Sequence, residues 1–211
     1  MSYQILCTGI NALLVAGISL GALTFKSSKT APPSVVGITI SDFNLRNVDG
    51  KYISLKSYPK AKGFIVIFTC NHCPFAKLYT KRINELNAKY SPLGVPVLAI
   101  NSMDTVVYGD EGFANMRERS SSAGFNFPYL YDSRQTTGKA FQASYNPQAY
   151  VVWKQNNKWR IVYSGAIDDN GADQKKVTKM HVDKAVKESL QGMPVSIPET
   201  RPLGCALYYR K

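Results

Sequence analysis

The residues of this sequence best suited to chemistry are Cys70 and Cys73, set three apart around Asn71 and His72 in the stretch FTCNHCPF. Such a pair can attach haem, hold a metal, pack as two inert cysteines or exchange electrons. Haem attachment requires a histidine directly after the second cysteine, and Pro74 stands there. Structural zinc needs four ligands, normally from two separated pairs. Beyond the pair, the candidate ligands are Cys205, His72 and His181, and His72 lies inside the clip, badly placed to share one tetrahedral ion with both sulfurs. Inert packing is the plain alternative, since free cysteine behaves as a small hydrophobe. Redox exchange suits the spacing better. On one helical turn, residues i and i+3 approach closely enough to close a small disulfide. Near a helix start, Cys70 would meet unpaired N–H groups and the positive end of the macrodipole, which favour thiolate, and a protonated His72 would add to this. The first, more exposed cysteine then attacks and the second resolves the mixed disulfide.

The flanking pattern supplies the elements that such a pair needs. Gly63–Phe68 (GFIVIF) is an unbroken apolar run, as expected for a strand covered on both faces. After Asn71 the period becomes helical, with Phe75, Leu78, Tyr79, Ile83 and Leu86 recurring, and Pro74 fits only in the first turn. Val95–Ile100 reads as a second buried strand. A helix is expected near Glu111–Ser121, a short strand at Pro128–Tyr131, and a helix capped by Asp132 or Ser133 that runs to about Ala143. Ala149–Lys154 and Trp159–Ser164 alternate in polarity around Gln155–Lys158, an antiparallel hairpin; Val177–Leu190 forms a last helix. Upstream, Ile38–Tyr58 suggests a β-hairpin turning at Asp49-Gly50. The order describes an α/β sandwich with a mixed central sheet. A CxxC between strand and helix in such a pattern is the signal of a thioredoxin-like redox motif.

The 211 residues suffice for one domain with its own core, and the four cysteines are too few for a disulfide-stapled scaffold. The net charge of +12 comes from scattered basic residues without a basic helix or an RNA-binding signature, so no nucleic-acid partner is expected. Ile5–Phe25 carries 21 residues without a charge. As a helix it would be roughly 31 Å long, enough to cross a hydrocarbon core. We read residues 1–25 as a signal peptide or membrane anchor, 26–34 as a linker, and 35–211 as the folded domain. An extracytoplasmic location follows, periplasmic, secreted or membrane-anchored, with a cytoplasmic one as the alternative.

Over roughly Val35 to Tyr209 the chain resembles the thioredoxin-fold redoxin proteins related to the thiol-specific antioxidant (AhpC/TSA-like) group. The passages that carry the likeness are CNHCPF at Cys70–Phe75, AINS at Ala99–Ser102, FPYLYD at Phe127–Asp132, YSGAIDDN at Tyr163–Asn170 and PETRPLGC at Pro198–Cys205. The resemblance implies a thioredoxin-like three-layer α/β/α sandwich, here with an N-terminal β extension. It makes Cys70 the nucleophile and Cys73 the resolving thiol. It matches Pro147, after Asn146, to the cis-proline that faces the CxxC and presents backbone groups to an extended substrate, and Gly165-Ala166 to the loop beside the substrate groove. Asp168 and Asp169 look like part of the family signature, with capping or turn formation as the plainer role. Cys205 matches a terminal family cysteine and could be a resolving thiol, a packed residue or a ligand.

The chain departs from its relatives in ways that bear on chemistry. Thr69 replaces the tryptophan that precedes the first cysteine of thioredoxins, and Gly63–Phe68 lacks their buried carboxylate. The peroxiredoxin pattern P-x-x-x-[TS]-x-x-C fits neither cysteine, because counting back gives Ile67 and Gly63 from Cys70, and Cys70 and Val66 from Cys73. The expectation is therefore a thiol–disulfide oxidoreductase that cycles Cys70 and Cys73, tuned by Thr69 and His72. Its partners would be protein thiols or disulfides and an external redox partner, with no bound cofactor. The alternatives are a thiol peroxidase acting on hydroperoxides and, in a different class, a metal carrier.

Overall fold

The computed structural model describes residues 34–210. The expected signal or anchor at residues 1–25 and nearly all of the 26–34 linker lie outside the described residues. Among the described residues, no helix is long and apolar enough to cross a membrane.

In chain order the elements are β1 (Thr39–Ile40), β2 (Leu45–Asn47), β3 (Tyr52–Ile53), β4 (Gly63–Phe68), α1 (Pro74–Tyr90), β5 (Val97–Asn101), α2 (Phe113–Ser122), β6 (Tyr129–Tyr131), α3 (Thr136–Phe141), β7 (Tyr145–Asn146), β8 (Gln148–Gln155), β9 (Lys158–Gly165), α4 (His181–Leu190) and β10 (Cys205–Ala206). Eight strands form one mixed sheet in the order β1-β9-β8-β4-β5-β6-β2-β3, and β10 pairs with β7 in a separate two-stranded ribbon. Parallel β4, β5 and β6 sit beside the antiparallel β8–β9 hairpin. That hairpin turns at Asn156-Asn157, both at positive φ, where asparagine is tolerated. The expected N-terminal extension is present: β2 and β3 pair around Asp49-Gly50 and add to the far edge through β6.

Strand β4 is apolar on both sides because both sides are covered. Phe64, Val66 and Phe68 enter one core with Phe141 of α3 and Tyr150. Ile65 and Ile67 enter the other, under Tyr79 and Ile83 of α1 and Val182 and Val186 of α4. The result is the expected three-layer thioredoxin-like sandwich.

Three helices differ from the sequence expectation. The third begins at Thr136 and the last at His181, both later than their periodicity suggested, because Ser133-Arg134 form a turn and Thr178 and Lys179 are bonded to Asp169 instead. In α1 the buried stripe is Ala76, Tyr79, Ile83, Leu86 and Tyr90, with Arg82 alongside, whereas Phe75 and Leu78 face outward at 40% and 50% exposure.

Candidate active site

The site lies where β4 ends and α1 begins. The Thr69 amide donates to the Ile100 carbonyl and carries strand pairing one residue further, and its side chain is buried. Four residues later, Cys73 caps α1 with an extended backbone, and Pro74 opens the helix where no N–H is needed.

The segment between them is held by a residue the sequence did not announce. Glu111, fully buried in a short 3-10 turn after β5, accepts from the backbone amides of Asn71, at 2.8 and 3.0 Å, and of His72, at 3.0 Å. It also accepts from His72 Nδ1 at 2.5 Å and Asn101 Nδ2 at 2.7 Å. Asn71 is fastened twice more, donating to the Asp110 carbonyl and accepting from the Tyr129 hydroxyl. The imidazole of His72 stacks on Tyr108, ring centres 5.1 Å apart, and Tyr108 stacks on Tyr208 near the C-terminus. The carboxylate missing from Gly63–Phe68 is thus supplied by another loop. Its only trace in the sequence was its place at the head of the expected second helix.

Two expectations about the cysteines are corrected. Cys73 is disulfide-bonded not to Cys70 but to Cys205, 132 positions away, with Cα atoms 6.3 Å apart. Cys70 is a free thiol. Nor is Cys70 the exposed, thiolate-favouring member. It is 3% exposed, and burial first, then the negative charge of Glu111, push its pKa up to about 12 against the opposing amides of Cys73 and His72. The helix-start effect that should lower this pKa is weakened because Glu111 has taken the amide of Asn71 and shares that of His72. Of the three sulfurs, only that of half-buried Cys205 belongs to a residue with appreciable solvent access.

Opposite the cysteines, the Asn146–Pro147 peptide is cis, and the Asn146 carbonyl lies 3.2 Å from Cys73 Sγ. Asn146 is fully buried, and its Oδ1 has no hydrogen-bond partner. The Gly165-Ala166 loop is not an open groove wall. The C-terminal segment lies over it: the Ala166 amide donates to Thr200 Oγ1 at 3.0 Å, and a Cβ on Gly165 would overlap Thr200. Asp168 and Asp169 stand away from the sulfurs and do structural work. Asp168 is buried, pairs with Arg82 at 2.7 Å and accepts from Tyr79. Asp169 accepts from the Thr178 amide and hydroxyl, and these bonds hold its pKa down at about 2.

Cys70 Sγ, a His72 ring nitrogen and a Glu111 oxygen lie within 4.8 Å of one another, the one such cluster among the described residues. They would be the ligands of a metal ion. The Glu111 oxygens, however, already accept from four N–H groups, so this set is committed to holding the loop. His181, the other histidine, starts α4 and does not join the cluster.

Comparison with known proteins gives the family and the fold. Residues 36–160 match the model of the AhpC/TSA family. Among solved structures, an uncharacterized conserved protein from Geobacillus kaustophilus is 32% identical, with a TM-score of 0.75 over 83% of this chain and 92% of that one. A hypothetical protein from Sinorhizobium meliloti 1021 is 27% identical, with a TM-score of 0.76 over 85% and 97%. Peroxidoxin BcpB from Mycobacterium tuberculosis shares the fold at 14% identity, with a TM-score of 0.54 over 74% and 96%. No curated protein matches the chain.

Proposed function

The chain belongs to the AhpC/TSA family and has a thiol redox function, and from that premise we propose that it works as a thiol–disulfide oxidoreductase on protein substrates, using Cys70, Cys73 and Cys205 as one relay. A single observation carries the reading: a free thiol, Cys70, stands three residues before a cysteine already engaged in a disulfide, in a loop pinned by hydrogen bonds. In the internal step, the Cys70 thiolate attacks Cys73 Sγ. A Cys70–Cys73 bond forms, the Cys73–Cys205 bond breaks, and Cys205 leaves as a thiolate that takes up the proton given up by Cys70. One disulfide is exchanged for another with no net oxidation. External thiols meet the relay at Cys205, the accessible end, and Cys70–Cys73 remains the dithiol/disulfide pair that cycles.

Exposed Phe75 and Leu78 on the first turns of α1, and Val106 and Val107 in the loop that leads to Glu111, favour a protein partner over a small molecule. Thr69 and His72 tune the pair by fixing the loop, and His72 links it to Glu111 and Tyr108. The Ile5–Phe25 segment favours an extracytoplasmic setting for the exchange.

The test is stopped-flow reaction of the reduced full-length chain with insulin disulfides and, separately, with hydrogen peroxide, for the native sequence and Cys70→Ser. Disulfide exchange that depends on Cys70, accompanied by both Cys70–Cys73 and Cys73–Cys205 linkages in peptide maps, is expected. Fast peroxide consumption with slow exchange would replace this reading with a peroxidase.

A further inference from the structure

The C-terminal segment meets the site as an extended strand. Cys205 faces Asn146 and Ala206 faces Tyr145 in antiparallel register, and the Leu207 amide donates to the Ser144 carbonyl at 2.8 Å. On either side the segment is anchored by contacts that do not involve sulfur. The Thr200 amide donates to the Ser164 carbonyl and the Pro198 carbonyl accepts from the Ser164 amide, while Arg210 binds Asp104 and Gln135 and Tyr209 donates to the Ala143 carbonyl. Between the anchors, Arg201–Ala206 is held by little more than two-residue pairing with β7 and one disulfide to Cys73. Backbone pairing of this kind accepts almost any sequence, so selectivity must come from side-chain positions.

One position is closed to side chains. A Cβ on Gly204 would collide with the carbonyl of Asn146 and the nitrogen of Pro147. These are backbone atoms in a pinned, buried loop and cannot swing aside as a flexible side chain could. The residue immediately before the cysteine that reaches Cys73 therefore has to be glycine.

We propose that Leu203–Leu207 is a tethered occupant of a peptide cleft along β7, and that the cleft, once vacated, takes an extended segment of a partner protein bearing a glycine directly before its reactive cysteine. This deepens the oxidoreductase reading and rests on it. The occupant leaves when the internal exchange frees Cys205. While attached it competes at the high effective concentration of a short tether, so a partner enters after Cys205 is released. In the transfer that follows, the thiolate of the partner's Gly-Cys attacks Cys73 Sγ. The mixed disulfide forms, the Cys70–Cys73 bond breaks, and Cys70 leaves as a thiolate that takes up the proton given up by the partner's cysteine.

The experiment uses the full-length chain with Cys7→Ser, Cys70→Ser and Cys205→Ser, which leaves Cys73 as its thiol. The probes are peptides copying Pro202–Tyr209, with glycine or valine before the cysteine, each activated as a mixed disulfide with thionitrobenzoate. Release of the coloured thiolate reports capture. Capture of the glycine peptide should be faster than that of the valine peptide by about tenfold or more, the equivalent of ~1.4 kcal/mol. Adding Gly204→Val to the chain should speed capture of the glycine peptide further, because it weakens the resident strand. Equal rates for the two peptides would overturn the proposal. The symmetric disulfide of thionitrobenzoate serves as the control. If it reacts while the peptides are not distinguished, only the cleft inference falls; if Cys73 fails to react with it in either background, the oxidoreductase reading falls as well.

Discussion

Replacing Glu111 by glutamine should make Cys70 a stronger acid. Glutamine keeps the shape and one acceptor for the Asn71 and His72 amides, and removes one negative charge within 4.8 Å of Cys70 Sγ. At that separation and an effective dielectric constant of about 20, the repulsion between carboxylate and thiolate is ~3.5 kcal/mol. At 1.36 kcal/mol per unit this is about 2.5 pKa units. Burial, the larger cause of the raised value, is untouched, so the thiol moves from about 12 toward the ordinary thiol range without dropping below it. At pH 8 the thiolate fraction would rise by roughly 300-fold. Nucleophilicity falls as pKa falls, with a Brønsted slope of about 0.45, so the observed rate should rise by about 20-fold. The assay is iodoacetamide alkylation against pH in a Cys7→Ser background, with the alkylated cysteine identified by peptide mapping. A midpoint within about half a unit of the native one would refute the electrostatic account, since a charge this near cannot be silent in a buried site.

Two other expectations concern the frame around the site. Asp168→Ala strips the buried Arg82 of its anionic partner and leaves it only the carbonyls of Asn170 and Gly171. Stability should fall by ~3 kcal/mol, and Tm by about 10 °C by calorimetry; a loss under about 1 kcal/mol would mean the pair is not isolated from water. Thr178→Val removes the hydroxyl that is the first cause of the low Asp169 pKa. Because the folded value is depressed below the ordinary 3.8, this carboxylate stabilises the fold above that pH, and its contribution is lost as pH falls toward about 2. In the variant, a carboxyl NMR titration should show the Asp169 midpoint moved up, and an unmoved midpoint would assign the effect to the amides instead.

What the sequence made legible was local. Gly63–Phe68 announced a doubly covered strand because every side chain in it is apolar, and Pro74 marked the helix start through its missing N–H. The β8–β9 hairpin was visible in alternation around two asparagines. What stayed hidden depends on chain closure. Glu111 reaches Asn71 across 40 positions, and nothing about a glutamate in a polar loop says which amides it will meet. The pairing of Cys73 with Cys205 was likewise invisible, since spacing favours a partner three residues away and only the docking of the tail on β7 brings the distant one closer. Phe75 and Leu78 fit the helical period as well as the residues that are buried. Period alone assigns a face, and the width of that face is decided by what packs against it.

These hidden contacts bear on which chemistry the site favours. A sulfur that must attack hydroperoxide from solvent works best as an exposed thiolate held by amide donors and positive charge. Cys70 has the opposite surroundings: it is buried, Glu111 lies beside it, and two of the nearby amides are turned to that carboxylate. Such a thiol is slow toward any oxidant that arrives by diffusion. It can still be fast toward a disulfide fixed next to it, because proximity supplies what acidity withholds; well-placed intramolecular reactions gain effective molarities of about 10⁵ M or more. The Cys73–Cys205 disulfide, whose first cysteine follows Cys70 by three residues, is the target the proposed relay assigns to it. The same burial that disfavours Cys70 as an antioxidant sulfur therefore suits it to act within the chain. The exposure of Cys205 then favours it as the sulfur that an external thiol meets first.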